Sequence, residues 1–201
     1  MIITDNIKDV VAVSSLLVRH YPELWAEIRQ ILSCHDIDIK ILKNTADYWC
    51  RDYMPIQIDI GAFRRFEYEP DYLRDKPQYR TVVLSSIVPV RNREKALRSS
   101  PLRVHGGNMV MCPHDIIMTE NVFADNQGIS RAKCTEKLCA CLELTDEENI
   151  IFVPWKCKYD IFGHTDGILR FAGIGEDGRE RLLINLELYG RSYAKKVRSV
   201  L

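Results

Sequence analysis

Two short apolar runs, Asn108-Met109-Val110-Met111 and Ile116-Ile117-Met118-Thr119, stand only four residues apart across Cys112-Pro113-His114-Asp115. That spacing, with proline in the gap, predicts a β-hairpin. Helical periodicity follows from Ala132 to Leu142, and then the strand-like run Ile150-Ile151-Phe152-Val153. Hairpin, helix and strand in that order predict an α/β domain assembled from repeated sheet-and-helix units. The letters themselves show no clean repeat, so the repetition is one of pattern.

The same alternation extends in both directions. Pro22-Glu23-Leu24-Trp25-Ala26-Glu27-Ile28-Arg29-Gln30-Ile31-Leu32 places Leu24, Trp25, Ile28, Ile31 and Leu32 on one helical face, with proline in the first turn. Asp38-Ile39-Lys40-Ile41-Leu42 predicts a strand closed by the polar turn Asn44-Thr45-Ala46-Asp47. Further strands are expected at Pro55 to Ile60 and Thr81 to Leu84, and a second hairpin where Ile168-Leu169-Arg170-Phe171 meets Leu182-Leu183-Ile184-Asn185 across Gly175-Glu176-Asp177-Gly178. Lys195 to Leu201 reads as the end of a final helix.

With 201 residues, 46% of them hydrophobic, the chain can bury one sizeable core, and we expect a single domain over residues 1–201. Lys and Arg number 28 and so do Asp and Glu, so no basic face favours nucleic acid. No signal peptide and no membrane span is expected, and seven cysteines scattered through periodic segments suit reduced thiols in the cytoplasm.

Two clusters could carry chemistry. In Gly163-His164-Thr165-Asp166-Gly167, residues two apart on an extended chain would turn an imidazole and a carboxylate to one side. A carboxylate beside an imidazole favours the charged ring and holds it in place for proton transfer. A buried structural histidine, or half of a metal site, fits the same letters. Asp47-Tyr48-Trp49-Cys50-Arg51-Asp52-Tyr53-Met54-Pro55 packs aromatic and charged residues just before a strand, where burying charge is costly. It is either ligand-facing or an Arg51–Asp52 ion pair capped by a packed Trp49. A zinc cluster from Cys134, Cys139, Cys141 and Cys157 lacks the close-set thiol pairs of structural sites, and no metal is expected.

Taken in order, Trp49-Cys50-Arg51-Asp52-Tyr53-Met54-Pro55, Gly106-Gly107-Asn108, Thr119-Glu120-Asn121 and Asp160-Ile161-Phe162-Gly163-His164-Thr165-Asp166-Gly167-Ile168-Leu169-Arg170-Phe171 resemble the agmatine deiminase and bacterial peptidylarginine deiminase family. The resemblance runs from roughly Asp38 to Asn185. It implies a pentein-type α/β propeller, here incomplete, with about the first three to four of five blades. It also implies that Asp52 and Asp166 grip guanidinium nitrogens while His164 transfers protons, and that Trp49, Arg51, Asn108 and Arg170 belong to the substrate site. The substrate would be a small guanidino compound such as agmatine, or peptidyl arginine, with no cofactor.

Two departures accompany the resemblance. His105 stands before the double glycine, where agmatine deiminases commonly carry an acid. The family's nucleophilic cysteine lies near its C-terminus, beyond a further strand-rich unit, and no cysteine here occupies that context; Cys50 alone falls inside a site motif. Three functions therefore stand open: a deiminase hydrolase in truncated form, inactive alone; a guanidino-compound binder without turnover; and a relative of the amidinotransferases. An incomplete propeller would leave a sheet edge and part of the core unpaired, so a homo-oligomer through that edge, partial disorder or poor solubility of the chain in isolation is expected.

Overall fold

A computed structural model describes residues 2–5, 10–81, 97–155, 160–187 and 190–201. The expected strand at Thr81 to Leu84 falls mostly, and Cys157 wholly, outside them.

The described residues form four small sheets, and a hairpin joined by a parallel strand occurs in two of them. Strand β1 (Val10–Ser14) leads through helices α1 (Ser15–His20) and α2 (Pro22–Ser33) to a parallel partner, β2 (Asp38–Leu42). After the single turn of α3 (Cys50–Tyr53), β3 (Ile56–Asp59) and β4 (Ala62–Glu67) pair antiparallel, and β5 (Leu97–Arg103) adds parallel to β4. Next, β6 (Val110–Met111) and β7 (Asp115–Thr119) form the expected hairpin. Helices α4 (Asn121–Asp125) and α5 (Arg131–Leu142) then return the chain to β8 (Asn149–Val153), parallel to β7. Last come the hairpin of β9 (Leu169–Ile174) and β10 (Glu180–Ile184) and helix α6 (Gly190–Arg198). Parallel neighbours require a crossover and hairpins do not, and the full order of hairpin, helices and parallel strand is present in β6 to β8. No closed barrel forms among the described residues.

The β6–β7–β8 sheet lies at the centre of the core because both of its faces are apolar. Met111, Ile116 and Met118 face one cluster, shared with Ile58, Phe66 and Leu102 of the preceding sheet and with Cys134, Leu138 and Leu142 of α5. Val110, Ile117 and Val153 face the other, shared with Leu169 and Phe171 of β9 and with Tyr193 and Val197 of α6. Successive strand residues point to opposite faces, so this short apolar strand serves two cores at once. Each fully buried Ile, Met or Val here contributes about 1.5–3 kcal/mol. Helix α5 begins at Ser130, whose hydroxyl accepts the N–H of Lys133 at 3.3 Å, and ends where Glu143 adopts a left-handed conformation.

Three expectations need correction. Asn108 is not a strand residue: Gly106–Asn108 is a 3-10 turn that delivers the chain into β6. Helix α2 forms where its periodicity predicts but buries no residue, and Leu24 and Ile31 on its apolar stripe stay 47% and 60% exposed. The stripe is real, and among the described residues it packs chiefly against α1 and β2. Trp49 is 70% exposed, so it is not the packed cap expected over an Arg51–Asp52 pair.

Candidate active site

Three turns meet beside the central sheet, and each brings one polar group. The turn of α3 carries Asp52, the turn Gly106–Asn108 follows His105, and the 3-10 turn Thr165–Gly167 follows His164. Asn108 ties its own turn to β7 and to the Thr165 turn: its Oδ1 accepts the N–H of Thr119 at 2.8 Å and the hydroxyl of Thr165 at 2.9 Å. All three residues are buried, so these bonds form in a low-dielectric setting where leaving either partner unpaired would be costly. Asn108, expected at the substrate, is thus an internal strut of the site.

The loop before His164 is held just as firmly. The hydroxyl of Thr119 donates to the carbonyl of Gly163, and Asn121 Nδ2 donates to the carbonyl of Phe162 at 3.2 Å. Gly163 sits at φ +65°, and a β-carbon there would meet the Asn121 side chain at 2.6 Å. Only glycine fits both constraints.

The carboxylate opposed to His164 is Asp52. Its Oδ1 lies 3.5 Å from His164 Nδ1 and accepts the Gly107 N–H at 2.9 Å. The extended geometry expected for His164 and Asp166 does not occur, because Thr165–Gly167 coils into its turn, and no bond joins those two side chains among the described residues. Asp166 nonetheless stands close enough for its charge to act on Asp52. Burial pushes the Asp52 carboxyl above its usual range, and Asp166 and Asp47 push the same way. His164 and the Gly107 N–H oppose them.

Arg51 does not pair with Asp52. Its Nε donates to the Gly106 carbonyl at 3.1 Å, and its Nη2 donates to the Met109 carbonyl and reaches Asp5 at 3.2 Å. Asp166 Oδ2 lies 3.8 Å from Nε. The guanidinium therefore laces the glycine turn to the N-terminal segment, with Asp166 on its flank. Arg170 projects exposed from β9, outside the histidine cluster, where it lines a groove of about 290 Å³ with Asp166, Gly167 and Asn185.

One polar partner was not assigned by the sequence. His105, 2% exposed, has its Nδ1 3.2 Å from His164 Nε2, so the ring of His164 is flanked on both nitrogens. Tyr68 and Tyr72 meet the His105 ring edge-on at centroid distances of 5.5 and 6.1 Å, and Phe162 packs against Tyr72 at 5.0 Å. Burial pushes the His105 pKa down to about 3, with a charged His164 pushing the same way. The one sequence signal was the appearance of a histidine where the resemblance called for an acid.

The six described cysteines are free, and none offers a thiolate beside His164. Cys50, Cys112 and Cys134 are buried, and burial raises each thiol pKa, that of Cys112 to about 12. Cys50 instead contacts the Tyr53 hydroxyl at 3.1 Å. No group of three or more metal-ligating side chains is gathered among the described residues.

This architecture is the α/β fold of the pentein proteins. An agmatine deiminase from C. jejuni superposes with a TM-score of 0.60 at 14% identity, over 96% of this chain and 68% of that one. The agmatine deiminase of Enterococcus faecalis gives 0.54 at 16% identity, covering 94% of this chain and 52% of that one. A dimethylarginine dimethylaminohydrolase, solved as an adduct with 4-chloro-2-hydroxymethylpyridine, gives 0.56 at 13% identity over 94% and 74%. At such identities the likeness is one of fold. No protein-family model matches the sequence, and neither does any curated protein.

Proposed function

We propose that the site binds the guanidinium group of a small agmatine- or arginine-like compound and serves its hydrolysis to a ureido product and ammonia. The observation that carries the proposal is the buried Asp52 carboxylate, 3.5 Å from the His164 imidazole and within the field of Asp166. Two carboxylates that disfavour each other's charge are relieved by a cation between them, and a planar guanidinium offers paired donors to both. The edges and faces of Tyr72 and Phe162 add a flank suited to a flat cation. In the same reading the four sheets are successive blades of a pentein propeller.

The covalent route proceeds in balanced steps. A thiolate attacks the guanidino carbon, ammonia leaves with a proton supplied by His164, and water, giving a proton back to His164, then cleaves the carbon–sulfur bond to release the ureido product and restore the thiolate. Asp52 and Asp166 hold the headgroup and His164 moves the proton. The nucleophile must be a thiolate other than the six described. The burial and raised pKa values of Cys50, Cys112 and Cys134 favour, as a second reading, a guanidino-compound binder without turnover.

Titration calorimetry of the full chain with agmatine tests the binding step. Asp52→Asn and Asp166→Ala are each expected to weaken affinity tenfold or more, about 1.4 kcal/mol; equal affinity in all three proteins would remove the clamp. Detection of ureido product separates hydrolysis from binding alone, and transfer to an added amine would identify an amidinotransferase.

A further inference from the structure

We propose that His105 is a positioning residue that fixes the ring and the tautomer of His164 by donating its Nδ1–H to His164 Nε2. The argument begins with protons. A neutral imidazole carries one N–H, and which nitrogen bears it is decided by what each nitrogen faces. His164 Nδ1 faces Asp52 Oδ1 at 3.5 Å and Nε2 faces His105 Nδ1 at 3.2 Å. If both rings are neutral, only two arrangements give the inter-imidazole contact its single proton.

In the first, His164 holds its proton on Nδ1 toward the carboxylate, and His105 donates Nδ1–H to the bare Nε2. His105 Nε2 is then an unprotonated nitrogen. In the second, His164 holds its proton on Nε2, its bare Nδ1 confronts the Asp52 carboxylate, and His105 must carry its own proton on Nε2. His105 Nε2 is buried and has no hydrogen-bond partner among the described residues. The second arrangement therefore sets two lone pairs against each other and also strands a buried N–H donor. The first leaves only a buried acceptor unpaired, the milder fault.

Two independent features agree on the first arrangement: the carboxylate at His164 Nδ1 and the unpartnered outer nitrogen of His105. The surroundings of His105 hold that ring still. Tyr68, Tyr72 and His164 all meet it edge-on, and the chain continues directly into Gly106 and Gly107, the first tied to Arg51 and the second to Asp52. The lone pair at His164 Nε2 is consequently occupied at rest. A proton arriving there must be shared with His105 Nδ1, which can take it only by presenting its own proton on Nε2. That consequence for proton transfer rests on the role proposed for His164; the tautomer assignment rests on geometry alone.

Long-range proton–nitrogen NMR correlation of the imidazole nitrogens in the uniformly nitrogen-15-labelled full chain, near neutral pH, reads the assignment directly. In the wild type, His164 is expected to show a protonated Nδ1 and an unprotonated Nε2, and His105 a protonated Nδ1. His105→Phe keeps a flat ring but removes the donor, and the His164 signals should move to a mixed-tautomer position. His105→Gln restores an N–H donor and should return them toward the wild-type pattern. The proposal is overturned if wild-type His105 carries its proton on Nε2, or if a folded His105→Phe leaves the His164 signals unmoved. If His105→Phe does not fold, the wild-type spectrum and His105→Gln decide. Absence of agmatine binding with the expected tautomers intact would count against the proposed function and leave this assignment standing.

Discussion

The Gly107 N–H donates to Asp52 Oδ1 at 2.9 Å, and a β-carbon on Gly107 would stand only 2.5 Å from the same oxygen and 2.8 Å from His164 Nδ1. Close approach of backbone to carboxylate is what brings the acid and the imidazole together. Gly107→Ala must therefore push Asp52 or His164 aside. We expect a stability loss of about 1–3 kcal/mol, as for other overpacked sites, together with loss of agmatine binding. Chemical denaturation and calorimetry on the same variant check both, and an alanine variant that binds like wild type would refute the geometry.

Asp52→Asn isolates charge from shape. The amide oxygen can still accept from Gly107, but the charge opposite His164 is gone, so the fold should survive while guanidinium affinity falls. A melting temperature within a few degrees of wild type, with weakened binding, is the expected pair of results. A collapse of the fold would show Asp52 to be chiefly structural.

Acid stability should carry the mark of His105. Burial lowers its pKa to about 3 in the folded state, against roughly 6.5 in the unfolded chain. Between those values the unfolded chain binds a proton that the folded chain refuses, so stability rises with pH through this window and is lost as pH falls. His105→Gln, which cannot titrate, is expected to flatten that dependence between about pH 6.5 and 3. Urea unfolding midpoints across the range provide the measurement.

Asp125 should act with the opposite sign. Burial, with Asp71 pushing the same way and Arg103 against, raises its pKa to about 7, compared with about 3.9 unfolded. From about pH 4 to 7 the folded chain holds a proton that the unfolded chain has released, so this residue erodes stability as pH rises. Asp125→Asn is expected to be more stable than wild type at pH 8, with the gain shrinking toward pH 4. An unchanged gain at both ends would show that the carboxyl does not titrate there.

The elements were legible wherever a local pattern determines them. The hairpins of β6–β7 and β9–β10 follow from apolar runs with turn residues between, and α2 and α5 follow from their periodicity. What periodicity cannot report is whether a neighbour exists, and for that reason the exposed stripe of α2 came as a surprise. Within the site, clustered charge singled out Asp52 and His164. Their mutual pairing was hidden, because a 3-10 turn at Thr165 replaced the extended chain that would have aligned Asp166 with His164. Arg51 found carbonyls and Asp5 rather than its neighbour, and His105 found His164 across 59 residues. Such partners depend on how turns meet, which no single stretch of letters encodes.

Asn108 gives the site an unusual foundation. A lone carboxamide, sealed from water, gathers segments from the chain's middle and from near its end, so the floor beneath Asp52 and His164 is continuous with the interior of the molecule. Loosening that floor means opening the interior too. Slow deuterium uptake at the Thr119 amide would be its signature, and ligand recognition here should be as cooperative with global folding as any packed strand.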